Sequence, residues 1–409
     1  MNSHAAPTEW ASGWRIVAAS ALSNATGISL LFYTYNLFVL PMAADLRMTR
    51  GQTGVVQSLI IAAAFGAPVI GRLADRYGFH RMFLTCTLAM VAVDLALWQF
   101  ANGFAALALG TALIGFIGGG SASVLLTRPV NSHFKRYRGL ALGLVGTGIS
   151  LTTVFVPPWL QHVIADQGWR QGFLVLALIA LVLGLPAVML LMPRNASTRG
   201  SHEAVTPNRD HLRDRDFWLL VASNFCAAIA TAAAISQLSP MLQERGLTPG
   251  AAALGISSFA IGQFIGKLGG GWLLDRFDPR VVAAVLNVLP TLGFVLMLTQ
   301  HGAFIPLMFG VGLVGLLQGA DIGIFSYFIA HRFGVARYGT IFGLLHGIGW
   351  IGTAAGVVGA GLSFDRFHGY WAAQLAAIGL LVMAALLIAL TRLPPRHDTD
   401  HLVTPPGAG

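Results

Sequence analysis

The sequence has few charged residues for its length. Of its 409 residues, Asp, Glu, Lys and Arg together make up 10%, with 25 basic and 16 acidic side chains. A soluble domain carries about 25% charged residues, so this chain could not cover the water-facing surface of a globule of its size. The shortage of charge excludes a soluble enzyme, and a hydrophobic content of 55% excludes a disordered chain.

Cysteine is also scarce. The two cysteines, Cys86 and Cys226, lie in separate apolar stretches, which excludes a disulfide-stabilised scaffold. Catalytic signatures are missing as well, since the sequence contains no His-Glu-x-x-His zinc motif, no Gly-x-Ser-x-Gly nucleophile motif and no P-loop. We therefore expect neither an enzyme nor a bound cofactor or metal ion.

Long apolar runs are what the sequence has in abundance. Its mean hydropathy is +0.70, and runs close to the length of about 20 residues that a bilayer-spanning helix needs recur along the chain. We predict twelve spans, numbered in chain order, near residues 14–40, 51–74, 82–100, 104–131, 139–164, 170–192, 217–240, 250–274, 281–300, 303–330, 338–362 and 370–391. The first run is too long for a removed signal peptide and lacks a small-residue cleavage site, so we assign it to span 1.

An even number of spans places both termini on one side of the membrane, and the basic residues decide which side. Clusters that begin at Arg72, Lys135, Arg194, Arg276, Arg332 and Arg392 share that side with Arg15, whereas Arg47, Arg50, Arg170, Arg245 and Arg366 lie opposite. The positive-inside rule then predicts a multi-pass protein of the plasma or inner membrane with both termini cytoplasmic. Because the +9 net charge is distributed in short clusters between apolar runs, we expect a lipid bilayer rather than nucleic acid as its partner.

One long polar segment interrupts the spans. Residues 193–216 are rich in Arg, Asp, Ser and Pro, which is typical of a solvated cytoplasmic loop, with contact to the membrane surface as the alternative. This loop divides the chain into six-helix bundles at 14–192 and 217–392. We expect a short disordered cytoplasmic lead at 1–13 and a polar, Pro-rich cytoplasmic tail at 393–409.

The two halves of the sequence match at one offset of 200 residues. The run from Gly71 to Tyr77 falls on the run from Gly271 to Phe277, the residues Gly139, Gly143 and Leu144 fall on Gly339, Gly343 and Leu344, and Gly168-Trp169 falls within two residues of Tyr370-Trp371. Parallel repeats of six helices about an axis along the membrane normal are typical of transporters that rock two halves about a central site.

Several of these residues carry a family resemblance. Gly71-Arg72-Leu73-Ala74-Asp75-Arg76-Tyr77-Gly78 resembles the loop 2–3 signature of the major facilitator superfamily, and the run from Gly271 to Arg276 resembles its second-half counterpart. The first copy departs from the signature at Phe79 and His80, where the family usually has basic residues, although Arg81 keeps one. The resemblance covers about residues 14–392 and implies an all-α integral membrane protein with the major facilitator fold.

Three further segments are similar to the monocarboxylate transporter family and its bacterial relatives. They are Arg138-Gly139-Leu140-Ala141-Leu142-Gly143 after span 4, Gly168-Trp169-Arg170 before span 6 and Arg332-Phe333-Gly334 before span 11. Within the superfamily, this likeness implies transport of small organic anions.

The repeated signature also has a physical use of its own. A carboxylate at the end of a helix, as at Asp75 and Asp275, can cap a neighbouring helix or pair with Arg, and each exposed contact of this kind contributes about 0.3–1 kcal/mol. Contacts of this strength can form in one conformation of the expected transporter and break in the other. The alternative is that these residues only fix the orientation of the helices in the membrane. We assign to gating the residues Gly71, Asp75, Arg76, Gly271, Asp275 and Arg276.

Four charged residues lie within predicted spans, namely Asp94, Arg128, Lys267 and Asp321. Each costs at least about 2.5 kcal/mol in lipid, so each is expected to face a cavity or a partner. At 1.5 Å per residue, Arg128 lies about 10 Å from Lys135, Lys267 about 12 Å from Asp275, and Asp321 about 16 Å from Arg332. These three residues therefore reach comparable interior depths.

Lys267 and Asp321 suggest how an anion could be coupled to a proton. We expect the two to pair in the empty carrier, with an anion competing for the ammonium group. A desolvated carboxylate that loses its cationic partner takes up a proton more readily, so Asp321 would be protonated as the anion arrives. A purely structural buried pair is the alternative.

The family resemblance refines the expected substrate site. In the monocarboxylate family, span 8 commonly carries an Asp and, four residues later, an Arg that meets the substrate carboxylate. Lys267 stands at that Arg position and Gln263 at that Asp position, so carboxylate binding carries over and the Asp-dependent proton step does not. Span 1 lacks the family's lysine and offers Tyr33, Tyr35 and Asn36 as groups that could orient a small acid, with interfacial tyrosines as the alternative.

Arg128 and His346 each have two possible roles, one functional and one structural. Arg128 could contribute to substrate binding or extend to the cytoplasmic face. His346 in span 11 could relay protons or be a packing histidine. Asp94 in span 3 is expected at the periphery of the bundle.

Together these observations predict a secondary transporter of small organic anions, with monocarboxylates as the expected class, that works by alternating access with proton coupling and is monomeric. The alternative is a proton-driven exporter of drugs or other small molecules. Span 5 argues against that alternative, because Gly143, Gly146, Gly148 and Pro157-Pro158 lack the glycine-proline pattern typical of antiporters.

Overall fold

The structure is a computed structural model that describes residues 9–120, 123–134, 137–193, 212, 214–333 and 338–392. Within these ranges the chain is helical apart from its turns. Helices of the first half are Glu9–Thr26, Ile28–Thr34 and Asn36–Leu46 in span 1; Arg50–Ser58, a 3₁₀ turn at Leu59–Ala62 and Ala63–Tyr77 in span 2; Phe79–Phe100 in span 3; Phe104–Gly118 and Ser123–His133 in span 4; Arg138–Gln167 in span 5; and Trp169–Ile179, followed by π-helical turns at Ala180–Gly184 and Ala187–Leu191, in span 6.

The second half is more regular. Its helices are Arg215–Ser236 and Leu238–Glu244 in span 7, Pro249–Arg276 in span 8, Pro279–Thr299 in span 9, Phe304–Phe333 in span 10, Tyr338–Phe367 in span 11 and Trp371–Ala389 in span 12. Spans 8 and 9 start at prolines that follow the N-capping side chains of Thr248 and Asp278, a position where the missing proline N–H costs nothing.

The helices are long and apolar enough to cross a membrane in most of the predicted spans. Ten single helices meet that condition among the described residues, and the bent pair Gly13–Thr26 and Ile28–Thr34 adds an eleventh. The predicted span at 104–131 consists of two shorter helices, Phe104–Gly118 and Ser123–His133. Large apolar side chains cover the outside of the molecule, with Phe65, Leu190 and Ile305 each more than 70% exposed, as expected for a surface that contacts lipid.

The predicted N-terminal lead, central loop and C-terminal tail lie mostly outside the described part of the chain. The expected disordered lead at 1–13 is wrong for residues 9–13, because the first helix begins at Glu9; residues 1–8 lie outside the described part of the chain. Most of the predicted loop, at residues 194–211 and 213, and the predicted tail at 393–409 also lie outside it.

The predicted repeat recurs in the packing at the same offset of 200 residues. Ser23 Oγ donates to Gly184 O and Ser223 Oγ donates to Ala384 O. Asn24 Nδ2 donates to Val145 O, and Asn224 Nδ2 donates to Leu345 O. The first span of each half is therefore held to its neighbours by the same pair of polar side chains.

Close helix approaches repeat in the same way. A Cβ added at Gly66 would meet Phe116 O, and one at Gly266 would meet Leu316 O. Likewise, Gly115 lies against Leu59 O and Gly315 against Phe259 O. Because only glycine lets two backbones come this close, spans 2 and 4 and spans 8 and 10 form matching pairs.

The molecule has two ends, which we call the linker face and the distal face. The linker face carries residues 192 and 214 with the turns at 78 and 278, and the distal face carries residues 47–50, 168, 245 and 369. One buried apolar cluster towards the distal face combines residues of both halves, such as Leu31 and Phe259. Towards the linker face each half has a cluster of its own, so the two halves pack together at the distal end and diverge at the other.

Candidate substrate site

Lys267 lies at the junction of the two halves. Its Nζ donates to Gly146 O at 2.7 Å, to Ser150 Oγ at 3.1 Å and to Gln263 Oε1 at 3.3 Å. Gly146 and Ser150 belong to span 5 of the first half, so the ammonium group crosses from span 8 to the opposite bundle. All three partners are neutral oxygens, which satisfy the N–H groups but leave the positive charge uncompensated.

Gln263 and Tyr33 extend this group into span 1. Gln263 is 3% exposed, and its Oε1 also accepts from Ser150 Oγ at 2.8 Å while its Nε2 donates to the Tyr33 hydroxyl oxygen at 2.8 Å. No described residue accepts the Tyr33 proton. We call Lys267, Gln263, Tyr33 and Ser150 the central cluster.

The central cluster borders open space on its linker side. A Cβ built on Gly143 or Gly146 of span 5, or on Gly271 of span 8, meets no atom within 4 Å. Lys267 itself is partly exposed. The ammonium group is therefore at the closed end of a gap between the halves that widens towards the linker face.

The expected ion pair between Lys267 and Asp321 is wrong. The described ion pairs include neither residue. The reason lies in the glycine ridge of span 10, where Gly315 and Gly319 pack against span 8. Asp321 is six residues beyond the first of these glycines and two beyond the second, which at 3.6 residues per turn places it on the far side of span 10.

Asp321 and His346 remain near the centre of the molecule. Asp321 is partly buried and lies within electrostatic range of the Tyr33 hydroxyl. His346 stacks on Phe342 with ring centroids 4.2 Å apart, and its Nδ1 is buried without a hydrogen-bond partner among the described residues. Trp350, one turn further along span 11, packs against Phe32 of span 1, so His346 is on the face of its helix that looks towards the first half.

Arg128 is separated from the central cluster. Its Nη1 lies 2.9 Å from Asp75 Oδ1 and 3.5 Å from Gly71 O, and a Cβ on Gly71 would meet the guanidinium at 2.8 Å. The arginine that was predicted to bind substrate thus pairs with the aspartate that was predicted to gate. The pair joins spans 2 and 4 at the linker face within the first half.

The other signature residues lie at the same face and are largely exposed. Arg76 stacks on the Tyr77 ring at 5.3 Å and Arg276 on the Trp272 ring at 5.0 Å. Asp275 and Gly271 are exposed, with open space beside Gly271.

The remaining span 1 candidates point elsewhere. Tyr35 is completely buried inside the first half, near Phe38, and so does not reach the central cluster. Asn36 is closer to the distal face, where its Nδ2 donates to Tyr33 O at 2.8 Å and its Oδ1 accepts from Ser239 N at 3.3 Å. It therefore ties span 1 to span 7 across the junction of the halves.

A contact at the distal face was not predicted from the sequence. Asp365, in the last turn of span 11, accepts from Arg50 N at 2.9 Å and from Gly51 N at 2.8 Å, the first amides of span 2. It thereby caps a helix of the other half. A signal was present, because a carboxylate in the last turn of its own helix opposes the helix dipole and calls for a partner elsewhere.

A second carboxylate at the distal face lies within the first half. Asp45 Oδ2 accepts from Arg170 Nη1 at 2.6 Å and from Trp169 Nε1 at 3.0 Å. These two hydrogen bonds, that of Arg170 first, hold the pKa of the Asp45 carboxyl below its ordinary value. The pair holds the start of span 6 against the end of span 1.

Comparison with known proteins agrees with the fold. The family model of the Major Facilitator Superfamily matches residues 20–247 and 220–406. The chain is 26% identical over 342 residues to monocarboxylate transporter 11 of Mus musculus, covering 77% of this chain and 73% of that protein. It is 25% identical over 401 residues to the gentisate transporter of Corynebacterium glutamicum, covering 91% and 88%.

A solved structure shows the same fold. The bacterial homologue of the human lysosomal transporter Spinster superposes with a TM-score of 0.68 at 15% identity, covering 94% of this chain and 97% of that one. The chain belongs to the major facilitator superfamily. It is a multi-span membrane transporter with the fold of that family and not an enzyme.

Proposed function

We propose that the protein carries small organic anions, with monocarboxylates as the expected class, by alternating access coupled to protons. The observation that carries the proposal is the Lys267 ammonium group, which has only neutral partners and lies where the two halves meet. A charge held this way costs free energy in the empty protein, and an anion that enters the gap would compensate it. The names of the two relatives, a monocarboxylate transporter and a gentisate transporter, fit a carboxylate as the cargo.

The central cluster offers a carboxylate two kinds of contact. Lys267 supplies the charge, and the Tyr33 hydroxyl has a proton free to donate because its oxygen accepts from Gln263. Gln263 and Ser150 orient both groups through a continuous chain of hydrogen bonds. Of the other candidates, we retain Asn36 as a junction residue and assign Arg128 with Asp75 to gating, while Tyr35 plays no part in cargo binding.

The distribution of charge gives the orientation of the protein in the membrane, and that orientation tells which end of the carrier is open. With the linker face cytoplasmic, as the distribution of Lys and Arg favours, the gap beside Gly143 and Gly271 opens inwards and the Asp365 cap closes the outer face. This arrangement is an inward-open carrier, and the protein resides in the plasma or inner membrane.

Proton coupling is assigned to Asp321, with His346 as a second candidate for the relay. Since Asp321 has no described ion pair, its protonation does not depend on losing Lys267. We propose instead that the two charges communicate through Tyr33, which contacts the Lys267 partner Gln263 and lies in the field of Asp321.

Uptake by proteoliposomes tests the proposal. A short carboxylate should enter faster when the outside is acidified, Lys267→Ala should abolish this uptake, and Lys267→Arg, which keeps the charge, should retain a measurable rate. Asp321→Asn should preserve exchange of carboxylate but lose accumulation driven by a proton gradient.

Two results would contradict the proposal. Transport of lipophilic cations that is unchanged by Lys267→Ala would favour the exporter. Accumulation that is unchanged in Asp321→Asn would exclude Asp321 as the proton carrier.

A further inference from the structure

Asp94 is a buried acid that the anion site does not use. Its predicted place at the periphery of the bundle is wrong: the residue is 4% exposed, inside the first half. Among the described residues its Oδ1 has no hydrogen-bond partner, and no ion pair includes the side chain. An unpaired carboxylate is costly at this depth, so a group that neutralises it would be favoured.

The carboxyl group lies at a small internal cavity. Its water-accessible volume is about 10 Å³, close to the minimum that one water molecule or one small ion needs. Spans 1, 3, 4 and 6 contribute to its wall through Thr26, Gly27, Met90, Ile114 and Leu176, among others. Asp94 is the single ionisable group among the lining residues of all four spans.

The polar side chains that line the cavity are those of Asp94 and Thr26. The Thr26 hydroxyl donates its proton to Leu22 O at 3.0 Å, so its lone pairs remain for a ligand. The apolar lining side chains of Met90, Ile114 and Leu176 provide no N–H or O–H group. A carboxylate and a hydroxyl oxygen, with no charged or polar side-chain donor beside them among the lining residues, suit a cation and not a second anion.

The backbone around the cavity is irregular. Span 1 is interrupted at Gly27, where helices Gly13–Thr26 and Ile28–Thr34 meet at an angle of 41°. Span 6 changes from α-helix to π-helix at Ala180, and Gly184 in that turn lies against the Thr26 hydroxyl. Broken helices and π-turns inside membrane proteins are concentrated where the chain lines a binding cavity.

The second half provides an internal control. At the offset of 200 residues Asp94 corresponds to Phe294, which is 1% exposed and part of the apolar core. The counterparts of the irregular segments are regular, since Arg215–Ser236 continues through residue 227 and Trp371–Ala389 is α-helical throughout. The break, the π-turn and the buried acid therefore occur together in one half and are absent together from the described residues of the other.

We propose that Asp94, Thr26 and the helix break at Gly27 form a binding site for one small monovalent cation, either Na⁺ or a proton. The site is separate from the central cluster and does not depend on which cargo that cluster binds. A bound cation neutralises Asp94 and stabilises the broken region of span 1, the helix that also carries Tyr33 and Asn36.

Thermal unfolding of the purified protein in detergent distinguishes the two cations. For Na⁺, the unfolding temperature should rise and saturate as NaCl replaces choline chloride at constant ionic strength. Asp94→Asn, which removes the buried charge at nearly constant shape, should lose the rise. Thr26→Val should weaken it, and Asp321→Asn, the control for an acid elsewhere in the membrane, should keep it.

Infrared spectroscopy tests the proton. A protonated Asp94 gives the C=O stretching band of a buried carboxylic acid. Because a protonated Asp321 would give a similar band, the comparison is made in Asp321→Asn, where the band should be present, and it should be missing in the double variant Asp94→Asn/Asp321→Asn. A sodium-dependent rise that is lost in Asp94→Asn, or this band lost in the double variant, supports the site. The absence of the sodium-dependent rise from the wild type together with the absence of the band from Asp321→Asn overturns the site, as does survival of the rise in Asp94→Asn or of the band in the double variant. Thr26→Val provides the sodium comparison if Asp94→Asn does not fold.

Discussion

The two halves of this transporter share their packing but differ in their buried charges. The Ser–Asn pairs of spans 1 and 7 and the glycine approaches at Gly66 and Gly266 repeat at 200 residues. At the same offset, however, Lys267 and Gln263 of the second half correspond to Ala67 and Ala63, whereas Asp94 of the first half corresponds to Phe294. The shared residues build the scaffold, and those that differ are the ones to which we assign cargo and cation binding.

This difference also explains why each half needs the other. Lys267 belongs to the second half but donates to span 5 of the first half, and Gln263 reaches Tyr33 of span 1. The proposed anion site is assembled from both halves and would therefore be sensitive to their relative position, which is what the proposed alternating access requires.

The largest effect on stability is expected at the glycine contacts that the two halves share. Gly66→Ala and Gly266→Ala each place a methyl group against a backbone carbonyl, of Phe116 and Leu316, and each should lower the free energy of unfolding by about 1–3 kcal/mol. Thermal or denaturant unfolding in detergent measures this.

Gly269→Ala is the matched control for the glycine variants, because its Cβ meets nothing and alanine favours a helix. It should leave stability unchanged or raise it. If only one of the variants Gly66→Ala and Gly266→Ala destabilised the protein, the two glycine contacts would not be equivalent.

A smaller effect is expected at the cap that joins the halves at the distal face. Asp365→Asn removes the charge that accepts from Arg50 N and Gly51 N, and charged caps contribute about 0.5–2 kcal/mol. Loss of the cap should therefore shift the population towards conformations that are open at the distal face. Spin labels placed across that face should report longer distances in Asp365→Asn than in the wild type.

Asp166→Asn is the control for this cap. Asp166 is exposed near the end of span 5 and makes no described hydrogen bond, so its substitution should leave the distances unchanged. Equal distance distributions in Asp365→Asn and the wild type would mean that the cap does not hold the distal face closed.

The smallest effect is expected at Asp45, within the first half. Its pKa is lowered by Arg170 and then by Trp169, so the pair stabilises the folded protein above the ordinary Asp pKa of about 3.9, and this contribution is lost as the pH falls through the lowered value. The side chains are 47% and 35% exposed, so Asp45→Asn should cost at most about 1 kcal/mol at neutral pH and less in high salt. Unfolding temperatures of both proteins from pH 7 to pH 3 should converge; a difference that stayed constant would mean that the carboxylate charge is not involved.

The fold could be predicted from the sequence because periodic features of the sequence determine it. The length of the apolar runs defines spans, and the signatures at Gly71 and Gly271 define the repeat, both of which depend only on local sequence. Helical periodicity also places Lys267 and Gln263, four residues apart, on one face of span 8, as the structure has them.

What the sequence could not supply was the identity of the neighbouring helix. Helical periodicity gives the face on which a side chain lies but not which span covers that face. Lys267 was therefore paired with Asp321 instead of the carbonyl of Gly146, Arg128 was assigned to substrate instead of Asp75, and Asp94 was expected at the periphery. The long side chains of Lys and Arg add to this difficulty, since they reach partners several ångströms from their own helix.

Equilibrium binding of a short carboxylate to the purified protein tests the central claim most directly. If the uncompensated charge of Lys267 attracts the cargo, Lys267→Ala, which installs the residue of the first half, should weaken binding by about 1.5–3 kcal/mol or more, roughly tenfold to more than a hundredfold. Lys267→Arg should retain most of the affinity. Carboxylate binding to Lys267→Ala as tight as to the wild type would contradict the account.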